Sequence, residues 1–299
     1  MDKLIAKAEV LLEALPYIRR FAGRTIVIKY GGHAMVDEEL RSGFAVDLVL
    51  LKSLGLNPVV VHGGGPQIGE TLDRLGIASS FVRGMRVTDK ATMDIVEMVL
   101  GGQINMSIVS MIQAHGGRAV GLSGKDGNLV QAQKMNVPAS ADGDPVDLGM
   151  VGSVKNVDPQ LLHKLIATDF IPVVAPIGAD GGGQSYNINA DVVASSLAQA
   201  IGAAKLMMLT DVDGIMNARG EVQAFITVRQ AREWIADGSI NEGMIPKVEC
   251  AVSALEQGVG QVHVIDGRVS HAVLLEIFTR RGVGTEVVLE PPGEDGDKR

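Results

Sequence analysis

Short runs of apolar, largely β-branched residues recur along this chain, and segments with helical periodicity separate them. The runs lack alternating polar residues, so both faces of each predicted strand are expected to be buried. Strands of this kind, connected through helices, are typical of a mainly parallel sheet covered on both sides. The runs lie at residues 25–29, 58–61, 119–122, 171–175, 206–210 and 262–265. The pattern predicts an α/β fold.

The composition narrows the classes of protein to which the chain can belong. Its apolar fraction of 46% excludes disorder, and its 37 glycines show no regular period that would indicate collagen. The formal net charge of −8 argues against a nucleic-acid binder. The single cysteine excludes an intrachain disulfide and favours a reducing compartment. Because charges interrupt the longest apolar stretches, we expect a cytoplasmic protein without a membrane span.

Three segments lie outside the strand–helix repeat. Residues 2–15 place their apolar side chains on one helical face, and we expect the N-terminal helix, residues 1–19, to pack on another subunit. Residues 128–147 contain short strand-like pieces and turns, which predict a β-rich insert or lid. Residues 290–299 are rich in proline, glycine and charge, and we expect them to be disordered.

Glycine clusters follow the first two predicted strands. Lys29 precedes Gly31 and Gly32, and the second strand runs into three glycines, residues 63–65, before Pro66. Proline suits the first position of a helix, and a glycine backbone at a helix N-terminus offers N–H donors to an anion. Ligands of open α/β sheets bind at the carboxyl ends of the strands. The clusters therefore favour phosphate or carboxylate binding, with simple tight turns as the alternative.

Further polar residues stand where other helices are predicted to start. Lys247 follows a proline that suits a helix start, where a cation costs about 0.3–1 kcal/mol unless an anion binds beside it. Asn189 and Asp191 open another helix, and helix capping alone would explain both residues. Arg86 carries a planar donor that can hold a carboxylate, although an isolated arginine is usually a surface residue.

Common catalytic fingerprints are absent from the sequence. No G-x-G-x-x-G occurs, which disfavours an NAD-linked oxidoreductase, and residues 121–127 (GLSGKDG) lack the P-loop spacing. The six histidines show no metal-ligand spacing with each other or with Cys250, so we expect no protein metal site. No Ser-His-Asp or Cys-His arrangement supports a hydrolase. An anion site in this chain must therefore use another scheme.

Six motifs, taken in order, resemble those of the amino acid kinase family. They are KYGG at 29–32, VHGGG at 61–65, RVTD at 86–89, NINAD at 187–191, LTDVDGI at 209–215 and GMIPK at 243–247. The resemblance covers about residues 20–287 and implies one domain, a three-layer αβα sandwich around a mainly parallel sheet of about eight strands. It also implies that residues 20–180 bind an acyl amino acid and residues 181–287 bind ATP.

The resemblance further implies roles for individual residues. Lys29 and Lys247 would neutralise the transferring γ-phosphoryl group, and Asp191 would hold both lysines in place. Asp211 would lie near the nucleotide, with Mg²⁺ carried mostly by the ATP phosphates. Backbone donors to the phosphate and the acceptor would come from Gly31, Gly32, Gly64 and Gly65. The α-carboxylate of the substrate would be held by Arg86 and Asn187.

Within the family, the segment RGMRVTD at 83–89 is most similar to the branch that phosphorylates N-acetyl-L-glutamate in arginine biosynthesis. Residues 15–21 and 271–285 resemble the members of that branch that arginine inhibits and that form a hexamer, a trimer of dimers joined through the N-terminal helix. The resemblance places L-arginine beside Tyr17, Lys205, His263, Glu276 and Gly282.

Two alternatives remain open from the sequence. Sibling kinases such as glutamate 5-kinase or carbamate kinase share the scaffold, and only the resemblance of RGMRVTD separates them. A non-catalytic arginine-sensing module on the same scaffold would belong to a different class of protein. Retention of Lys29, Asp191 and Lys247 argues against that module.

Overall fold

The computed structural model describes residues 2–135, 147–241, 243–279 and 282–291, without the side chains of residues 2–4 and 6–8. Part of the predicted insert, residues 136–146, lies outside the described residues. So does most of the tail that we expect to be disordered, residues 292–299.

A sheet of eight strands forms the centre of the described structure. In chain order the strands are β1 (Thr25–Tyr30), β2 (Asn57–His62), β3 (Phe81–Val82), β4 (Met85–Arg86), β5 (Ala119–Ser123), β6 (Val130–Lys134), β7 (Gly152–Val157), β8 (Ile171–Ala175), β9 (Ile177–Ala179), β10 (Ser185–Asn187), β11 (Lys205–Thr210), β12 (Phe225–Thr227), β13 (Gln261–Asp266) and β14 (Gly284–Val288). The order in the central sheet is β12-β14-β13-β11-β1-β2-β8-β5. Every neighbouring pair is parallel except β13 with β14, so the predicted mainly parallel sheet is confirmed.

Helices cover both faces of this sheet and give the expected three layers. In chain order they are α1 (Asp2–Phe21), α2 (Glu38–Ser53), α3 (Gly65–Arg74), α4 (Lys90–Val96), α5 (Asn105–Ala114), α6 (Gln160–Ala167), α7 (Ala190–Ala200), α8 (Val228–Ala236), α9 (Ile245–Glu256) and α10 (Ala272–Phe278). Ile26 and Ile28 of β1 are buried with α2, α5 and α10, whereas Val27 is buried with α7, α8 and α9. Because successive strand residues point to opposite faces, Lys29 points toward α7 and α9, as Val27 does.

Local capping explains where several helices begin. The Asp37 side chain accepts the Leu40 N–H at the start of α2, at 2.9 Å. Asn189 caps α7 as predicted, and its side chain accepts the Asp191 N–H at 2.7 Å. Each such cap is worth about 1 kcal/mol. Pro246 lies in the first turn of α9, which agrees with the predicted helix start.

The predicted β-rich insert is part of a second, four-stranded sheet with the order β10-β9-β6-β7. β6 and β7 pair antiparallel on either side of residues 136–146. The sheet extends past the predicted boundary at residue 147, because β7 ends at Val157 and the sheet also takes in β9 and β10. A pairing between strands this far apart in the chain leaves no local signal at residues 128–147.

The N-terminal helix α1 is longer than predicted and continues through Pro16 to Phe21. Phe21 is buried in the core, so the C-terminal end of the helix packs on the body of the protein. Farther toward the N-terminus, the exposed apolar side chains are Ile5, Val10, Leu11, Leu12 and Leu15. The helix therefore presents an apolar surface to solvent in the single chain.

Residues 90–114 form one continuous helical run of α4, a π-helical segment (Glu97–Ile104) and α5. By length and composition this run is apolar enough to cross a membrane, although the sequence predicts no membrane span. Half of its most apolar window is buried inside the protein. Val96, Leu100 and Ile108 lie in the core on the α2 side of the sheet, which explains the apolar composition.

Candidate active site

Three strands end and three helices begin at one edge of the central sheet. β1 lies between β2 and β11 in parallel register, so Tyr30 stands beside His62 and Lys29 beside Met208. α3 follows β2 directly, and α7 and α9 cover the adjoining face. Both glycine clusters therefore lie at the carboxyl edge of the sheet, where ligands of open α/β sheets bind.

Asp191, in the first turn of α7, lies between Lys29 of β1 and Lys247 of α9. Lys29 Nζ is 3.2 Å from Asp191 Oδ1, and Lys247 Nζ is 3.2 Å from Oδ2. The Asp191 side chain is 5% exposed and that of Lys29 is 10% exposed. Burial alone would raise the pKa of Asp191, but the charges of Lys29 and Lys247 outweigh it and lower that pKa. The structure thus joins the three predicted catalytic residues as two cations on one carboxylate.

The first glycine cluster lies against this ion-pair group. A Cβ atom on Gly31 would be 2.7 Å from Lys29 Nζ, so any residue other than glycine would displace the Lys29 amine. Gly32 has a φ of +71°, and a Cβ there would collide with the Asp211 carboxylate. Asp211 Oδ1 accepts the His33 N–H at 2.5 Å. Asp211 therefore lies beside the first cluster, and its predicted place near the nucleotide stays a prediction.

The second glycine cluster begins α3, with Gly64 as the N-cap and Pro66 in the first turn. Within the described chain, no backbone hydrogen bond uses the N–H of Gly64 or Gly65. Arg86 of β4 donates from Nη2 to Gly65 O at 3.0 Å, and its guanidinium stacks over the Phe81 ring. The loop therefore combines free N–H donors with a neighbouring cation, as an anion site requires.

Asn187, at the end of β10, connects to the Arg86 segment through a buried threonine. Its Nδ2 donates to Thr88 Oγ1 at 3.4 Å, and Thr88 Oγ1 donates to Arg86 O at 2.8 Å. Asn187 also stands just before the Asn189 cap, which places it next to the start of α7. The residues predicted for catalysis and for substrate binding thus form one connected region, and their roles remain predictions.

The residues predicted to bind arginine line a separate cleft between the end of α1, α10 and the strands β11, β13 and β14. The lining includes Tyr17, Lys205, His263, Glu276 and Gly282. The carboxyl edge of the central sheet, where Lys29 and Asp211 lie, is called the active edge below. Lys205 begins β11 whereas Asp211 follows its end, so the length of the strand, about 20 Å, separates the cleft from the active edge. The structure brings all five residues together without testing their role.

Several charged and polar groups line this cleft beside apolar ones. His263 Nδ1 is 2.6 Å from Glu276 Oε1, yet neither nitrogen of the His263 ring makes a well-aligned hydrogen bond in the described chain. Burial lowers the pKa of His263, and the charge of Lys205 lowers it further. Burial also lowers the pKa of Lys205 to about 8. The cleft therefore holds buried ring nitrogens of His263 whose hydrogen bonding is not satisfied within the described chain.

Sequence reasoning missed several residues of both regions. Gln261 donates to Glu286 at 2.8 Å in the cleft, and it precedes His263 by two positions on the same strand. The strand period of two was the signal that would have placed Gln261 there. His62 and Asn105 lie behind the second glycine cluster, and no metal-ligand spacing or catalytic arrangement in the sequence singles out His62.

Comparison with known proteins agrees with this geometry. Residues 24–266 match the sequence model of the amino acid kinase family. The chain belongs to the amino acid kinase family. Acetylglutamate kinase from Geotalea uraniireducens is 56% identical over 291 residues, covering 96% of this chain and 100% of that protein. The acetylglutamate kinase of Nitrosococcus oceani is 53% identical over 292 residues, with coverages of 95% and 97%. The resemblance expected from the six motifs is confirmed, and the chain is a kinase of this family.

A solved structure shares the fold. N-acetylglutamate synthase from Neisseria gonorrhoeae, complexed with coenzyme A and N-acetyl-glutamate, superposes with a TM-score of 0.84 at 27% identity. That superposition covers 95% of this chain, which spans only 64% of the synthase chain. The same synthase complexed with coenzyme A and L-arginine gives a TM-score of 0.77 and covers 97% of this chain and 68% of the synthase chain. The three-layer architecture is therefore that of known family structures.

Proposed function

We propose that the protein transfers the γ-phosphoryl group of ATP to the γ-carboxylate of N-acetyl-L-glutamate, giving N-acetylglutamyl 5-phosphate and ADP in arginine biosynthesis. The observation that carries this proposal is the pair of ammonium groups that Asp191 holds against the first glycine cluster. The choice of acceptor is supported by the name acetylglutamate kinase of the relatives at 53–56% identity.

The chemistry of this reaction matches the groups at the sheet edge. The reaction joins two anions, so it requires neutralisation of charge more than transfer of a proton. A γ-carboxylate with a pKa of about 4.3 is ionised at neutral pH and needs no general base. One of its oxygens bonds to the γ-phosphorus while the bond to the bridging oxygen breaks and ADP leaves. Lys29 and Lys247 would balance the charge on the remaining phosphoryl oxygens.

The remaining groups would orient the two substrates. Gly64 and Gly65 would donate their free N–H groups to the phosphoryl group and the acceptor, and Arg86 with Asn187 would hold the α-carboxylate. Gly31 and Gly32 would donate their backbone N–H groups to the phosphates of the nucleotide. Their order around the edge agrees with an acyl amino acid on the β2 side and ATP on the β11 side.

Magnesium would enter this site with ATP. Among the residues that the structure describes, no group of three or more His, Cys, Asp or Glu side chains is arranged to hold a metal ion. The donor set fits an ion that keeps its phosphate and water ligands and takes at most a carboxylate such as Asp211. Bound Mg²⁺ would neutralise further charge on the phosphates.

Hydroxylamine trapping of the acyl phosphate tests the proposed function. We expect a hydroxamate from ATP and N-acetyl-L-glutamate, and about 100-fold less from free glutamate. A site that binds the neutral N-acetyl amide would leave its polar groups unpaired with the charged amine of free glutamate. Comparable turnover of free glutamate would indicate glutamate 5-kinase activity instead. No hydroxamate from either acceptor, together with arginine binding, would support the non-catalytic sensing module.

We also propose that L-arginine binds the cleft beside α1 and inhibits the enzyme. A guanidinium pairs favourably with carboxylates such as Glu276 and Glu286, and Lys205 offers a charge to the ligand carboxylate. The partly unsatisfied His263 ring supports a ligand in this place. The arginine complex of the similar synthase agrees with an arginine site on this scaffold.

Kinetics in the presence of arginine test this regulation. We expect millimolar arginine to raise the apparent KM for N-acetyl-L-glutamate. Replacing Glu276 by Gln removes one charged hydrogen bond, so about tenfold more arginine should be needed for the same effect. Glu233→Gln on the exposed face of α8 serves as the matched control and should respond as the wild type does. Unchanged kinetics across the arginine titration would rule out the regulation.

We propose that α1 joins dimers into a cytoplasmic hexamer. Its exposed apolar side chains are the part of the described surface that suits contact with the same helix of a second copy. Light scattering should give a mass near six chains. Replacing the exposed Leu11 and Leu12 by Ser should lower it to that of a dimer, and a dimer mass for the wild type would contradict the proposal.

A further inference from the structure

His62 is the last residue of β2 and stands directly before the second glycine cluster. Its side chain is fully buried, and its Nδ1 is 2.8 Å from Gly63 O. A carbonyl oxygen only accepts hydrogen bonds, so Nδ1 must carry the proton and donate it to Gly63 O. The other ring nitrogen, Nε2, is then an acceptor without a proton.

Asn105 supplies the donor that this tautomer requires. Its Nδ2 is 3.2 Å from His62 Nε2, 2.9 Å from Val173 O and 3.3 Å from Leu122 O. The two carbonyl oxygens only accept hydrogen bonds, which fixes the amide nitrogen on this side, and Asn105 Oδ1 points toward Gly121, where any Cβ would collide with it. Asn105 is 1% exposed and begins α5 directly after the π-helical segment. Irregular π-helical turns of this kind are frequent at functional sites.

The bond from His62 to Gly63 O determines how the next peptide group is directed. In a trans peptide the carbonyl oxygen and the following N–H point in opposite directions. Holding Gly63 O toward the buried imidazole therefore turns the Gly64 N–H away from it, and the described chain offers that N–H no acceptor. Glycine peptides otherwise rotate easily, so a free N–H in a row of glycines needs such a restraint to keep one direction.

We propose that His62 and Asn105 are positioning residues that preset the Gly64 N–H for the phosphoryl group in the transition state. The inference rests on the phosphoryl transfer proposed above. His62 contacts neither substrate in this role and exchanges no proton, because both ring nitrogens are engaged. Burial lowers the pKa of His62 to about 4, which keeps the ring neutral at physiological pH. The hydrogen bond from His62 Nδ1 to Gly63 O, called the His62 tether below, therefore stays intact.

Two substitutions separate this role from a general structural one. In His62→Asn the side-chain amide nitrogen takes the place of Nδ1 and can still donate a hydrogen bond to Gly63 O. The side chain of His62→Leu has no hydrogen-bond donor. Loss of a transition-state N–H donor typically lowers kcat by about 100-fold. We therefore expect His62→Leu to lower kcat by about 30-fold or more with both KM values within about threefold. His62→Asn should recover most of that loss, and His163→Asn on the exposed face of α6 is the matched control.

Kinetics and thermal melting of the three variants decide between the roles. The proposal is overturned if His62→Leu keeps a near-normal kcat, or if His62→Asn is as impaired as His62→Leu at equal thermal stability. A rise of KM in parallel with the loss of kcat would also contradict it, because a preset N–H acts in the transition state.

A measurement on the unaltered protein covers the case in which His62→Leu does not fold. Long-range ¹H–¹⁵N spectra of histidine-labelled wild type should show His62 as the neutral tautomer protonated at Nδ1, with His62→Asn assigning the signal. Protonation at Nε2 instead would refute the tether. If the wild type forms no hydroxamate with N-acetyl-L-glutamate, the proposed function fails, and this tautomer measurement still decides whether the restraint on Gly63 exists.

Discussion

Replacing Asp191 by Asn tests whether one carboxylate holds the two lysines of the active edge. The substitution keeps the size of the side chain and leaves the Asn189 cap of α7 in place, since that cap uses the backbone N–H of residue 191. It removes the charge that lies 3.2 Å from both Lys29 and Lys247. Two ammonium groups would then face each other in a site where the Lys29 side chain is only 10% exposed.

The expected loss of stability follows from this burial. Removing one partner of a buried ion pair costs about 3–5 kcal/mol, and we expect the lower end, about 3 kcal/mol, because Lys247 retains 22% exposure. For a chain of this length that corresponds to a Tm lower by about 6–12 °C. The pKa of Asp191 is lowered in the fold, so its contribution is complete above the unfolded value of about 4 and disappears as the pH falls through the folded value. The difference between the two proteins should therefore be constant from pH 8 to 5 and shrink below about pH 4.

Urea denaturation followed by the fluorescence of Trp234, the single tryptophan, measures this loss. Asp169→Asn is the matched control, because the Asp169 carboxylate is 69% exposed and pairs with Lys52 at 3.5 Å. Exposed pairs contribute about 0–1 kcal/mol, so the control should remain close to wild type. An Asp191→Asn protein as stable as the control, or one whose deficit grows at low pH, would refute the reasoning.

Three further outcomes follow from the same geometry. Lys29→Ala and Lys247→Ala should each lower kcat by about 100-fold while circular dichroism stays native, and near-normal turnover would remove that lysine from the mechanism. Gly32→Ala combines an unfavourable positive φ with a collision against Asp211, so we expect about 1–3 kcal/mol less stability in urea and a lower kcat; wild-type behaviour would show that the loop relaxes freely. Burial raises the pKa of Asp47 to about 6, so its contribution to stability should be lost as pH rises from about 4 to 6; Asp47→Asn should flatten that part of the stability profile, and an unchanged profile would contradict the shift.

Signals that are local in the sequence predicted most of the active edge. Lys29 ends an apolar strand, Asp191 stands in a capped first helical turn and Lys247 follows a helix-starting proline. Parallel topology then requires strand ends and helix starts to meet at the same edge. The assignment of each residue to phosphoryl transfer came from the family motifs, because capping and solvation explain Asp191 and Lys247 equally well in isolation.

The second sheet and the cleft show where local signals stop. β9 and β10 are three residues long each. β10 pairs with β9, and β9 pairs with β6 at Ala179 and Gln131, which are 48 positions apart, so no pattern within residues 128–147 indicates these partners. In the cleft, Gln261 and Glu286 meet only because β14 runs antiparallel to β13, the single reversal in the central sheet. A sequence that predicts a mainly parallel sheet gives no reason to place two strands, β14 and its parallel neighbour β12, the other way.

The His62 tether illustrates the same limit at the active edge. A histidine before a glycine cluster suggests a metal ligand, a general base or a core residue, and the sequence does not distinguish them. The decisive contact, from Asn105, crosses 43 positions and depends on space left by Gly121 in a third element. Once the acceptors around both side chains are known, hydrogen-bond chemistry leaves one tautomer and one direction for the Gly64 N–H. The role of His62 is thus determined by partners on other elements, and it becomes visible only when those elements are folded together.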